Sequence, residues 1–74
     1  MRIRYSRHAL LRMDERGISK REVETAIALG VKGDAPGGIR VATHEIQFRI
    51  LMVKYQIIDR LEINVVTTFY LRNQ

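Results

Sequence analysis

Three runs of β-branched and aromatic residues fill the second half of the chain: "IRVATHE", "QFRILMVKY" and "RLEINVVTTFYLR". They leave few folds open. Runs of this kind read as strands, and antiparallel pairing is expected of them. The last run alternates cleanly. Leu61, Ile63, Val65, Thr67, Phe69 and Leu71 face one way, and Glu62, Asn64, Val66, Thr68, Tyr70 and Arg72 the other, as in a strand with one buried face. The middle run is apolar on both faces at its centre, which suits an interior strand and leaves its register open. Ahead of it, "GVKGDAPGGIR" is rich in turn residues. Gly37-Gly38 marks a reversal, and a short strand over Val31–Asp34 fits before it.

A sheet of this kind needs cover on one face, and the first thirty residues supply it. Ser6 is placed to cap a first helix and Gly17 to end it in the left-handed conformation. On that helix Ala9, Leu10 and Met13 share the arc expected to be buried. "SKRE" is a capping box, with Ser19 as cap and Glu22 reaching back to it. Ile18 and Val23 stand at the positions of a hydrophobic staple. Val23, Ala26 and Ile27 continue the helical stripe to a stop at Gly30. Only Gly17 and Ile18 separate the two caps. The expected architecture is therefore α+β, one domain over residues 1–74, with an N-terminal helical hairpin packed on a three- to four-stranded antiparallel sheet.

Charge is distributed unevenly. Residues 1–21 hold seven Lys or Arg against Asp14 and Glu15, whereas the remaining residues balance six against six, so the whole net charge of +5 sits at the N-terminal end. A polyanion partner is the natural reading of such asymmetry. The chain has no cysteine, which removes disulfide frameworks and thiolate metal sites and fits a reducing, cytoplasmic setting. No apolar run reaches the roughly 18 residues of a membrane helix, and "MRIRYSRH" leads into no signal-like apolar stretch. Two histidines without an H-x-x-x-H pair make zinc unpromising, and no glycine motif cradles a phosphate, so no metal or cofactor is expected.

The first helix places His8, Arg12 and Arg16 at four-residue steps, one row on the rim of its buried arc. Like charges so spaced repel by roughly 0.2–0.5 kcal/mol per pair. An anion seated on the row would offset that, and the residue types suit phosphate chemistry: imidazole moves protons near neutral pH, and guanidinium grips phosphate in a bidentate fork. The alternative is structural. Glu15 can pair with Arg12; Asp14, Glu22 or Glu24 can pair with Arg16; His8 can bond a backbone carbonyl. The other histidine, His44, reads as a solvated residue at a hairpin tip.

"YSRHALLRMDERGISKREV", followed near the end by "VVTTFY", resembles a family of short uncharacterised bacterial and archaeal domains with the pattern SRHA-x-x-RM-x-x-RGIS. That family is distantly similar to the RelE- and BrnT-type toxins of toxin–antitoxin pairs. The resemblance implies a RelE-like fold and a metal-independent ribonuclease. Carried over by position, the matching residues are His8, Arg12, Arg16, Thr68 and Tyr70, and more loosely Lys54 and Tyr55. Of these, His8, Arg12, Arg16 and Tyr70 are expected to be catalytic, and Lys54, Tyr55, Thr68 and the basic Arg4 and Arg7 to contact RNA. RNA is then the expected substrate, and a small acidic antitoxin-like protein an expected partner. A non-catalytic nucleic-acid-binding module and a protein-interaction adaptor with a basic face are the alternatives.

Overall fold

A computed structural model describes residues 1–71. The element order is β1 (Arg2–Tyr5), α1 (Arg7–Arg16), α2 (Lys20–Leu29), β2 (Val31–Ala35), β3 (Ile39–Ile46), β4 (Arg49–Asp59) and β5 (Glu62–Leu71). The strands form one five-stranded sheet in the order β1-β5-β4-β3-β2. Strands β2 to β5 pair antiparallel, and β1 runs parallel to β5 from Arg2↔Glu62 to Tyr5↔Val65.

This corrects the expected architecture in two respects. The sheet is mixed, not antiparallel, and has five strands because "RIRY", assigned to no element in the sequence, is itself a strand. Its Arg2 and Arg4 lie on one face, exposed, and its Ile3 and Tyr5 on the other, half-buried. A parallel pairing needs a long connection, and here everything from α1 to β4 serves as that connection. Nor do the helices form a hairpin packed on itself. α1 rests on β5, and α2 on β3 and β4, so each is held mainly by the sheet.

The helix signals in the sequence act as written. The Ser6 hydroxyl accepts from the Ala9 N–H at 2.9 Å, and Gly17 closes α1 at φ 67°. Ser19 and Glu22 form the capping box of α2. Gly30 ends α2 for a different reason: its φ is −73°, but a Cβ there would lie 2.4 Å from the Ala26 carbonyl oxygen and 2.5 Å from that of Thr43. Glycine is required by the close approach of helix end and sheet. Leu10, expected in the buried arc of α1, is 42 % exposed; only Ala9 and Met13 of that arc are buried.

The core lies between the helices and one sheet face. It comprises Ala9, Met13, Ile18, Val23 and Ala26 from the helical segment and Ala42, Leu51, Val53, Tyr55, Ile63 and Val65 from the sheet. Burying a Leu or Val here contributes about 1.5–3 kcal/mol each. Among the described residues no element covers the opposite face, where Ile50, Met52 and Phe69 are half-buried.

The alternation read in β5 breaks at Val66. Lys54 pairs with Thr67 and Tyr55 with Val65, so Val66 is the extra residue of a β-bulge. Before it, Ile63 and Val65 face the helices. After it, Thr68 and Tyr70 do, opposite Val53 and Leu51, and Thr67 and Phe69 turn to the open face. The sequence pattern had Val65 and Phe69 on one side. Arg72, expected on the side of Tyr70, lies outside the described residues.

Candidate functional site

The histidine–arginine row of α1 forms as its spacing requires, but its members are spread and both arginines have partners. At 1.5 Å per residue, His8 and Arg16 stand about 12 Å apart along the helix. His8 is exposed in the first turn. Arg12 places Nη1 2.7 Å from Glu15 Oε2, the pairing the structural alternative anticipated. Arg16 Nη1 donates to the backbone carbonyl of Thr68 at 2.7 Å, not to any of the carboxylates considered for it. That carbonyl lies on β5 beyond Val65, where β1 has ended and the strand has a free outer edge. Ser6 Oγ likewise donates to the Val66 carbonyl at 3.0 Å. Together Ser6 and Arg16 satisfy an edge that would otherwise recruit another strand.

A second group assembles where the C-terminus of α1 and the N-terminus of α2 meet the end of the sheet. The Tyr70 hydroxyl donates to Glu22 Oε2 at 3.0 Å, and Glu22 Oε1 accepts from the Ser19 N–H at 2.9 Å. The Arg49 guanidinium lies over the Tyr70 ring, 4.0 Å from its centroid, a cation–π contact. Arg16, bonded to Thr68, approaches the same end two strand residues away, about 7 Å along β5. The Ser19 N–H holds the Glu22 carboxyl below its ordinary value; burial opposes this, and the Tyr70 hydrogen bond adds to it. Burial, and then Glu22, push the Tyr70 phenol up, with Arg49 pulling the other way. At neutral pH the group therefore presents a carboxylate, a protonated phenol and guanidinium cations.

The remaining sequence candidates are dispersed. Arg4 Nε sits 3.3 Å from Glu62 Oε2, and Arg2 shares that carboxylate at 3.7 Å. Arg7 is exposed in the first turn of α1. Lys54 is on the open face, its Nζ 5.8 Å from the centroid of the Phe69 ring, and so on the opposite side of the sheet from Tyr70. Tyr55 and Thr68 are buried, and no partner among the described residues satisfies the Thr68 hydroxyl. Tyr55 lines a cavity of about 380 Å³ with Ile27, Ile57 and Ile63. His44 is no hairpin-tip residue: it pairs with Leu51 within β3, half-buried, and the tip lies at Gln47–Phe48.

The structure thus brings Tyr70 and Arg16 to one end and leaves His8 and Lys54 away from it. It adds Glu22 and Arg49, which the sequence reading did not single out as site residues. Glu22 is masked in sequence by its capping box, a sufficient explanation for a glutamate at that position. Arg49 follows the hairpin tip and carries no local signal at all.

Among the described residues no cluster of three or more His, Asp or Glu is placed to hold a metal ion, and no helix is long and apolar enough to cross a membrane. No curated protein and no solved structure matches the chain significantly. A family model described as "Domain of unknown function (DUF4258)" matches residues 5–70, a span that runs from the last residue of β1 through both helices and the sheet to Tyr70. The chain therefore belongs to the DUF4258 family.

Proposed function

We propose that this domain is a metal-independent ribonuclease whose working group is Glu22, Tyr70, Arg49 and Arg16. The observation that carries the reading is the Glu22–Tyr70–Arg49 cluster: three polar side chains from α2, β5 and β4 converge at one partly exposed end of the molecule. Cleavage of RNA without a metal needs a base for the 2′-hydroxyl, a donor for the departing 5′-oxygen and cations around the phosphate. Glu22, ionised, takes the 2′-hydroxyl proton. The oxygen so freed attacks the phosphorus, and the 5′-oxygen leaves with a proton from Tyr70, yielding a 2′,3′-cyclic phosphate and a 5′-hydroxyl. Arg49 and Arg16 bear the phosphate charge. His8, Arg7 and Arg12 line α1 as contacts for the flanking backbone.

The toxin-like setting of this activity, with a small acidic partner that holds it inactive, rests on the SRHA-x-x-RM-x-x-RGIS resemblance and on the basic N-terminal end. A second reading is a nucleic-acid-binding module without catalysis, in which the cluster is a brace. It is favoured by the fact that both Glu22 oxygens already accept hydrogen bonds. The deciding experiment is RNA cleavage by the purified protein in EDTA, beside Glu22→Gln. Glutamine preserves the capping box, so loss of cleavage with the fold intact supports the ribonuclease. Salt-sensitive RNA binding without cleavage supports the module.

A further inference from the structure

The two edges of the sheet end differently. On the β5 side, Ser6 and Arg16 take up the Val66 and Thr68 carbonyls beyond the short β1. On the other side β2 pairs with β3 alone, and among the described residues no strand lies beyond it. The helices stand further in, α1 on β5 and α2 on β3 and β4. The edge strand "VKGDA" is exposed at every residue but Ala35, and Val31 is 75 % exposed. It has no bulge and no proline, two of the devices that stop an edge from pairing. Charge is a third device, and here the charges are placed symmetrically. Lys32 and Asp34 flank Gly33 on the helix-bearing face, beside Ala42 and Arg40 of β3. Gly33 answers to nothing in its own chain: its φ is not positive, and a Cβ there would meet nothing within 4 Å. A glycine inside a strand weakens it and often marks a place where another backbone comes close.

We propose that β2 is a docking edge for a second copy of this chain, paired antiparallel about a twofold axis at Gly33, so that two sheets join into one. In that register Lys32 of each copy stands opposite Asp34 of the other, and Val31 opposite Ala35, all five residues being answered by the same five. Charge complementarity selects this occupant. A strand without the same spacing leaves one of the two charges unanswered, whereas a second copy answers both. Lys32 uses one of its three donors on the Gly30 carbonyl at 2.8 Å, and Asp34 meets Arg40 through Oδ1 at 2.9 Å with its side chain 80 % exposed, so each keeps capacity for the other. Five residues a side make a small interface, so the association belongs to the weak, concentration-dependent class.

Charge exchange tests this. In analytical ultracentrifugation the natural chain is expected to move from 8.6 kDa toward twice that mass as its concentration rises. K32D sets carboxylates opposite one another on both sides of the axis, and D34K sets ammonium groups there, so each should weaken self-association by about tenfold or more. Both positions are exposed, and an unchanged circular dichroism spectrum checks the fold. The two variants mixed in equal amounts should associate again, since every acidic position then faces a basic one. The chain carrying both substitutions should dimerise with itself as the natural chain does. A natural chain that stays monomeric to millimolar concentration overturns the proposal. So does a dimer indifferent to both single substitutions, or a pair of monomeric variants that does not recover on mixing. If a single variant fails to fold, the doubly substituted chain decides, and its failure to dimerise overturns the proposal. None of these outcomes bears on the ribonuclease reading.

Discussion

Two polar groups in this molecule offer themselves as a site, and they were built in opposite ways. The row on α1 is local: helical spacing alone aligns His8, Arg12 and Arg16, and it would align them in any helix. The cluster at the sheet end is tertiary: Glu22 and Tyr70 are 48 residues apart in the chain and meet at 3.0 Å. The row's arginines make local and edge contacts, Arg12 with Glu15 and Arg16 with the Thr68 carbonyl. The cluster combines opposite charges and a hydroxyl, with the Ser19 N–H holding Glu22 down and burial pushing Tyr70 up. The comparison teaches that a regular row of functional residue types is weaker evidence for chemistry than an irregular meeting of them.

Kinetics break the comparison most sharply. Glu22→Gln is expected to lower kcat/KM for RNA cleavage by about 10²–10⁴-fold, the usual worth of a positioned acid or base, whereas His8→Ala should change it by only a few-fold. The reverse order would return the chemistry to the row. The pH profile makes the same distinction without a mutation. With Glu22 below its ordinary value of 4.5 and Tyr70 above 10.0, activity should stay level across neutrality, falling only as acid protonates the carboxylate or as alkali removes the phenol proton. An inflection near pH 6.5, where free histidine titrates, would show a histidine in control.

Stability sharpens the comparison within the row itself. Arg16→Ala strips a charged donor from the Thr68 carbonyl at the strand edge and is expected to destabilise the fold by about 1.5–3 kcal/mol in urea denaturation. Thr68→Val removes a buried hydroxyl that has no partner among the described residues and keeps the side-chain volume, so it should stabilise by about 1 kcal/mol. Arg12→Ala breaks only a surface pair with Glu15 and should cost about 0.5 kcal/mol or less. If Arg12 proved costlier than Arg16, the edge-satisfying role of Arg16 would be wrong.

Alkaline stability follows from Tyr5, at the point where β1 gives way to α1. Burial, and then Glu24, push its phenol from 10.0 up to about 12. The folded state thus holds a proton that the unfolded chain releases first. Its contribution is complete below pH 10 and is lost as pH rises toward 12. Tyr5→Phe should flatten that part of the stability curve while leaving the acid side unchanged.

Much of this architecture was written locally. The caps at Ser6 and Ser19, the left-handed close at Gly17 and the strand character of the second half each depend on a few neighbouring residues, and each formed where the sequence put it. Capping and alternation are short-range physics, a hydrogen bond within one turn or a period of two along a strand. What required the tertiary structure was pairing and phase. Strand β1 is four residues long and charged at alternate positions, and only its parallel partner some sixty residues away makes it a strand. The bulge at Val66 is invisible in the alternation, yet that one extra residue turns Tyr70 inward to meet Glu22 and Phe69 outward to meet Lys54. A single-residue slip reverses which face every later side chain occupies. The cluster therefore depends on a register that only the assembled sheet sets, where Leu51 and Val53 of β4 and Ile63 and Val65 of β5 pack together beneath the helices.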